Sequence, residues 1–362
     1  MDLKNNTHCI VMAGGSGTRF WPKSRILKPK QLLKLSGSEK TLLEETIERT
    51  KGLCPQKNIH LVTGQKISTA VKKLFSKNWQ INVIAEPKGR NTAPCIGYMA
   101  AKISRTSDPD DIMVILPADH LIKKTKKFIA ILKDAVEAAS KNNCFVTVGL
   151  PPRFPHTGYG YIEVGKKIKN ELYKVKAFKE KPDLLTAKKF LTKGNYLWNT
   201  GILVVKASVV LKEIKEHMPK LYAGISEISK SFGTKAEKRT FKKLFPDLEA
   251  QSIDYGVIEK LKDTLTIKAN FDWDDLGSWT SIETLRSKKG FGVSNIENIV
   301  WLDSTSNIID SYSDKKLIAL LGIKDLIIID TPDVLMVADR KYDQKIKELV
   351  EELKRKKKNS FL

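Results

Sequence analysis

No run of about 18 apolar residues occurs in the chain, so no segment is fitted to cross a bilayer as a helix and no membrane partner is expected. The apolar stretch near the N-terminus is about six residues long and ends in glycines, which reads as a first strand and not as a signal peptide. A cytoplasmic protein is therefore expected. Cysteine is scarce: Cys9, Cys54, Cys95 and Cys144 form no CxxC pair and have no histidines at zinc spacing. That excludes a disulfide framework and a structural zinc, and leaves reduced thiols, mostly in the core. There is no low-complexity linker, and no internal repeat is apparent in the sequence.

Acidic residues are also in deficit, 41 against 64 lysines and arginines, giving a formal charge of +23. Such a balance invites a nucleic-acid reading. The lysines, however, are scattered along amphipathic segments and concentrate only in the tail KELVEELKRKKK, and no recognition module accompanies them. No nucleic-acid partner is expected; a basic surface equally attracts a small polyanion such as a nucleoside triphosphate. The composition, 41% hydrophobic and 29% charged with 14 prolines, is that of a globular protein. At 362 residues it can bury a full enzyme core.

Short apolar runs alternate with helical patterns from the start: HCIVMA, TLLEETIERT, NIHLVT, a helix near residues 68–76, INVIAE, a helix near 93–104, DIMVILPAD, a helix near 128–140, and CFVTVGL. That rhythm predicts a mainly parallel, Rossmann-like α/β sheet with helices on both faces, whose ligands bind beyond the carboxyl ends of the strands. From Gly158 to about Gly201 the pattern turns antiparallel or mixed, and this lobe is expected to complete the sheet and cap the crevice. Helical segments and a last strand around LTIKANFDWDDLG follow. After residue 286 short β runs separated by turn residues predict a small β-helix-like domain ending in a Lys-rich helix. The expected division is 1–286 and 287–362.

The chemistry-bearing segment is AGGSGTRFWPKSRILKPKQLL, beginning at Ala13. Gly14, Gly15 and Gly17 let the backbone approach phosphates, with Ala13 and Thr18 flanking them, and Arg19 and Lys30 can supply positive charge. A Walker loop is excluded because Thr18 and Arg19 follow Gly17, and a GxGxxG dinucleotide fingerprint because Phe20 stands at the third glycine position. A plain structural turn explains the glycines but not Arg19 and Lys30.

This segment resembles the signature of nucleotidyltransferases that join a nucleoside triphosphate to a sugar 1-phosphate. EPKGRNTAPCIG, LPADH, GYGYIE, FKEKP, YLWNTGI, IDYGVIEK and DWDDLGSW narrow the resemblance to mannose-1-phosphate guanylyltransferases, over roughly residues 8 to 340. The resemblance implies the nucleotide-diphospho-sugar transferase type of sheet and, as reaction, GTP plus α-D-mannose 1-phosphate giving GDP-mannose and pyrophosphate. A different sugar 1-phosphate or base is the alternative.

In that reading Arg19 grips the β- and γ-phosphates and Lys30 the α-phosphate. Mg²⁺ prefers carboxylates with substrate phosphates, and similar enzymes place metal-binding aspartates at the motifs carrying Asp119 and Asp275, with Asp274 the alternative to Asp275. Asp119 also belongs to the nucleotide set. His120 is expected to be a hydrogen-bonding neighbour. Glu86 can accept both adjacent donors of guanine, N1–H and the 2-amino group. Arg90 and Asn91 follow on the same loop, with base, ribose or phosphate as candidate contacts. For the sugar phosphate the resemblance implies Glu180 and Asn199 as hydroxyl partners, Gly160 as a backbone contact and Lys181 on the 1-phosphate. Trp198 and Trp273 either wall the pocket or belong to the core. Lys23 and Lys28 stand where similar enzymes often carry other residues. Many bacterial members of the family it resembles extend into a phosphomannose isomerase, and no such second enzyme is expected within these 362 residues. Residues 287–362 are expected to serve folding and homodimer contacts.

Overall fold

The computed structural model describes residues 3–15, 17–76, 79–286, 292–293, 298–312 and 315–362. It divides into two compact units, neither of them one continuous segment: Met1–Gly14 with Thr46–Ala118 and Ile122–Asp272, and Gly15–Glu45 with Asp119–Leu121 and Trp273–Leu362. The expected cut after residue 286 thus runs inside the second unit, next to residues outside those described.

The first unit is built on nine strands: β1 (Thr7–Ala13), β2 (Ile59–Gly64), β3 (Asn82–Glu86), β4 (Ile112–Pro117), β5 (Phe145–Leu150), β6 (Tyr161–Lys169), β7 (Leu172–Lys179), β8 (Tyr196–Lys206) and β9 (Thr264–Lys268). Their order is β3-β2-β1-β4-β8-β5-β9-β7-β6. β1 to β4 are mutually parallel, and β9 runs parallel to β5. β8 is antiparallel to both of its central neighbours. The lobe expected to complete the sheet does so with its longest strand in the middle and not at an edge. The reason is visible in YLWNTGILVVK, which is buried almost throughout, as a strand covered on both faces must be. The segment read as one last strand is broken, with β9 ending at Lys268 and a two-residue strand at Trp273–Asp274.

Alternation sorts the sheet faces. Ile10, Met113, Ile115, Leu203 and Val205 join one core cluster with the helix Thr92–Thr106 and the helices Ala207–His217, Pro219–Ser229 and Glu237–Leu244. Val114 and Val204, between them, are equally buried, and the helix Thr125–Lys141 packs against β4, β5 and β8. Helices thus leave the central strands little exposed, while Ala13 stands at the carboxyl end of β1 and Glu86 at that of the edge strand β3.

The second unit has its own core, in which Phe20, Trp21, Leu35, Leu42 and Trp279 pack with Ile308, Ile327, Met336, Ile346 and Val350. A reciprocal cap starts the helix Leu42–Arg49: Thr41 N donates to Glu44 Oε2 and Glu44 N to Thr41 Oγ1. Its C-terminal portion holds β10 (Ile299–Leu302), β11 (Ile308–Ser311), β12 (Ile318–Leu321), β13 (Leu326–Asp330) and β14 (Leu335–Asp339). β10 pairs in parallel with β12 and β11 with β13. Ile299 stands opposite Ile318, Thr305 opposite Lys324 and Ile308 opposite Ile327, an offset of 19 residues each time. This is a β-helical coil, and its repeat went unseen in the sequence because only a few apolar positions recur. Asn307, fully buried, links successive coils by donating to Ile323 O and accepting from Leu326 N.

Candidate functional site

The second unit contains a cavity of about 340 Å³ lined by Gly17, Thr18, Arg19, Lys30, Asp119 and Asp275. Phe20, His120, Leu276, Gly277 and Lys347 complete its wall. Gly17 lies in the left-handed region, φ 57°, and starts the 3₁₀ turn Thr18–Phe20 that presents Arg19. A Cβ on Gly17 would run into the Lys30 side chain and backbone, so glycine is what lets the two loops close together. Arg19 is exposed and has no hydrogen-bonding or ionic partner among the described residues.

Lys30 opens the turn after Pro29 and is 6% exposed. Its ammonium donates to Asp119 Oδ2 at 2.7 Å and to the Asp275 carbonyl at 2.5 Å. A buried ammonium needs such partners, and they hold it at the cavity wall. Burial raises the Asp119 carboxyl, but Lys30 and His120 outweigh burial and hold it below the ordinary carboxylate range. His120 accepts a hydrogen bond at Nδ1 from Trp273 Nε1, 3.2 Å away, so Trp273 serves to orient the imidazole.

The two neighbouring aspartates separate by geometry. Asp274 Oδ1 accepts the Leu276 amide at 2.7 Å and closes the turn that puts Leu276 at φ 46°. Asp275 lines the cavity, where Gly277 leaves room beside its carboxylate. No group of three or more His, Cys, Asp or Glu able to hold a metal exists among the described residues. Two carboxylates on one cavity fit Mg²⁺ only as a partial site, which substrate phosphates and water would complete. Lys23 is bonded to Asp310 at 2.5 Å, and neither it nor Lys28 lines the cavity.

In the first unit, Glu86 ends β3 and is 7% exposed. Its Oε1 is buried with no hydrogen-bond partner. Burial pushes its carboxyl up to about 7, against a smaller opposite effect of Cys95. Arg90 Nε is likewise buried without a partner. Asn91, at φ 68°, caps the helix Thr92–Thr106 by accepting the Thr92 amide. The Ala13 carbonyl accepts from Thr63 Oγ1, and Gly14 is exposed. Gly15, at φ 100°, belongs to the second unit.

The residues assigned to the sugar phosphate come together. Asn199 N donates to the Gly160 carbonyl at 2.8 Å, and Lys181 Nζ lies 3.0 Å from Glu180 Oε1. A Cβ on Gly160 would come within 2.5 Å of Glu180 Oε2, so a larger residue there would displace that carboxylate. Burial lowers the Lys181 ammonium, but Glu180, Tyr255 and Asp254 together raise it above its usual value. Two members escaped sequence reasoning although both stand in the quoted IDYGVIEK: Asp254 Oδ1 accepts from Asn199 Nδ2 at 3.3 Å, and Glu259 Oε1 accepts the Glu180 amide at 2.8 Å. Burial, then Glu180, lifts the Asp254 carboxyl to about 6. Trp198 is core, ringed by Phe154 and Tyr159. Lys347 was also missed; it lies on the far C-terminal helix and no motif marks it.

The nucleotidyl transferase family matches residues 8–289, and the MannoseP isomerase/GMP-like β-helix domain matches residues 297–353. Mannose-1-phosphate guanylyltransferase 2 of Escherichia coli O157:H7 is 36% identical over 363 residues, covering 98% of this chain and 74% of the relative. A protein described as a putative mannose-1-phosphate guanylyltransferase of Vibrio cholerae is 35% identical, with 95% and 74% covered. A crystal structure described as a mannose-1-phosphate geranyltransferase of Thermus thermophilus superposes with a TM-score of 0.85 at 29% identity, covering 96% of this chain and 99% of the other.

Proposed function

Since the chain belongs to the nucleotidyl transferase family, and within it to the mannose-1-phosphate guanylyltransferases, we propose that it transfers GMP from GTP to α-D-mannose 1-phosphate with Mg²⁺ as cofactor. A phosphate oxygen of mannose 1-phosphate attacks the α-phosphorus in line, the bond from that phosphorus to the bridging oxygen of the β-phosphate breaks, and pyrophosphate leaves with GDP-mannose as the other product. Both reactants are polyanions, so catalysis rests on charge neutralisation and alignment.

The observation that carries this reading is the buried Lys30, fixed by Asp119 on the cavity it shares with Arg19 and Asp275. Arg19 takes the β- and γ-phosphates, because a planar, permanently charged donor suits the departing pyrophosphate. Lys30 takes the α-phosphate, whose equatorial oxygens gain charge during attack. The backbone of Ala13, Gly14, Gly15, Gly17 and Thr18 is assigned to the phosphates. Asp119 and Asp275 would hold Mg²⁺, which would supply further charge neutralisation on phosphate oxygens.

Glu86 accepts the N1–H and 2-amino donors of guanine; its orphaned, buried oxygen supports the role, since such an atom costs free energy until a donor reaches it. Arg90 and Asn91 belong to the nucleotide set. Glu180 and Asn199 take mannose hydroxyls, Gly160 offers backbone, and Lys181 binds the 1-phosphate. Asp254 and Glu259 position Asn199 and Glu180.

We assign the transferase residues named above to residues 1–286, and to residues 287–362 a role in folding and dimer contacts, Lys347 on the cavity wall apart. A homodimer through that β-helical part is included, because Val300, Leu302, Leu321, Leu335 and Val337 are all more than half exposed there. Four free, buried thiols agree with a cytoplasmic setting.

Competition between GTP, ATP, UTP and dTTP, each with several sugar 1-phosphates, in a pyrophosphate-release assay tests the reading. GTP with mannose 1-phosphate should give the highest kcat/KM; preference for UTP or dTTP refutes the role of Glu86, and preference for another sugar 1-phosphate refutes that of the Glu180 and Asn199 group.

A further inference from the structure

We propose that Lys347, carried by the C-terminal helix, is a phosphate ligand of the transferase site and binds the two phosphoryl groups that depart as pyrophosphate. The inference deepens the proposed function and rests on it for the identity of the reaction.

Lys347 is the second residue of the helix Ile346–Arg355, more than 300 positions from the glycine-rich loop, yet it lines the same cavity as Arg19, Lys30 and Asp275. Its position is fixed from both sides. Ile346 and Val350 flank it, are 3% and 4% exposed, and pack in the core that holds Phe20 and Trp21 of the loop. Before the helix, the Asp343 carboxylate accepts the amides of Trp279 and Thr280. Beyond the helix, the Phe361 carbonyl accepts from Trp21 Nε1 at 2.7 Å and Arg25 Nη1 at 2.8 Å. The helix is thereby tied at one end to the first residues of the helix Trp279–Arg286, which follows Asp275, and at the other to Trp21 and Arg25 of the glycine-rich segment, which places Lys347 by packing and not by chance on a surface.

Charge makes the assignment specific. Further along the helix Lys354 pairs with Glu351 and Arg355 with Glu352. Lys347 has no carboxylate partner among the described residues, and the same is true of Arg19. Lys30 is already neutralised by Asp119. Two uncompensated cations thus face one cavity, and a triphosphate whose terminal groups gain charge on departure is the ligand class that matches them. Exposure of the ammonium before binding is no obstacle, since a flexible four-carbon stem carrying a point charge can follow a leaving group.

The test uses the full chain. Lys347→Met should raise KM for GTP, and KM for pyrophosphate in the reverse reaction, by about tenfold or more, the loss expected for one charge-assisted hydrogen bond. KM for mannose 1-phosphate and the melting temperature should not change, Lys347→Arg should restore most of the loss, and Lys354→Met should behave as wild type. Unchanged KM values in Lys347→Met overturn the proposal. So does a parallel fall of melting temperature and of all kinetic constants, which would make the residue structural. Calorimetric titration with inorganic pyrophosphate separates the two levels: if wild type binds pyrophosphate and Lys347→Met binds it at least about tenfold more weakly, Lys347 stands even where GTP and mannose 1-phosphate give no turnover.

Discussion

Lys30 and Asp119 lie 89 residues apart in the chain and 2.7 Å apart in space, with the ammonium buried and the carboxylate about one-third exposed (35%). The pair readies a cation at the cavity wall before any phosphate arrives. Lys30→Met should lower turnover by about 10²- to 10³-fold, as removal of a preorganised charge does elsewhere. The folded Asp119 carboxyl is below its unfolded value, so the pair's stabilisation is full above the unfolded pKa and lost as pH falls through the folded one. Thermal melts across pH should show wild type ahead of Lys30→Met near neutrality and the gap closing in acid.

Asp274 closes a turn with the Leu276 amide, whereas Asp275 lines the cavity. Asp275→Asn should cut turnover by about 10²-fold or more and raise the Mg²⁺ concentration needed for half-maximal rate. Asp274→Asn, which weakens one turn bond to the Leu276 amide, should cost about 1 kcal/mol of stability and leave the Mg²⁺ dependence intact. Mg²⁺ titrations and melts of both variants distinguish them; an Asp275→Asn enzyme with a wild-type Mg²⁺ curve removes the metal assignment.

Glu86 carries a pH signature. With its carboxyl raised to about 7, the acceptor form is depleted below neutrality, so apparent affinity for a guanine nucleotide should fall by up to about tenfold per pH unit from pH 7 downward. Glu86→Gln should bind more weakly at pH 8 and show a flatter profile. The linkage has the opposite sign for folding without nucleotide: stability declines as pH rises from 4.5 through about 7, and the substitution removes that slope. Titration calorimetry from pH 6 to 8 with guanosine, which has no ionising phosphate, reads the binding term cleanly.

The exposed apolar side chains of the β-helical part, Val300, Leu302, Leu321, Leu335 and Val337, predict a dimer. Light scattering should give twice the chain mass, and Leu321→Glu, at a position 71% exposed, should give a monomer that still melts cooperatively. A wild-type monomer at micromolar concentration removes the dimer.

Much of the fold was legible because its signals are local. Alternating apolar runs and helical patterns marked the strands and helices of the first unit. Asp275 was singled out from Asp274 by its place in the motif, and the two do occupy different environments. The placement of β8 was less legible: its buried run said that both faces are covered but not which strands would flank it. The 19-residue coil was invisible because parallel pairing constrains the backbone offset and leaves most side chains free to vary.

By itself, the sequence determined which residues could carry phosphate chemistry, where the chain must turn, and which segments have two buried faces, since these depend on dihedral preference and on spacing within a few residues. Tertiary structure alone decided that Lys30 is held by Asp119, that Asp254 stands against Asn199, and that Lys347 reaches the cavity of Arg19. Those pairings depend on the path of the chain over tens to hundreds of residues, and a pattern of polar and apolar positions states that a side chain will be buried or exposed without naming the partner it will meet.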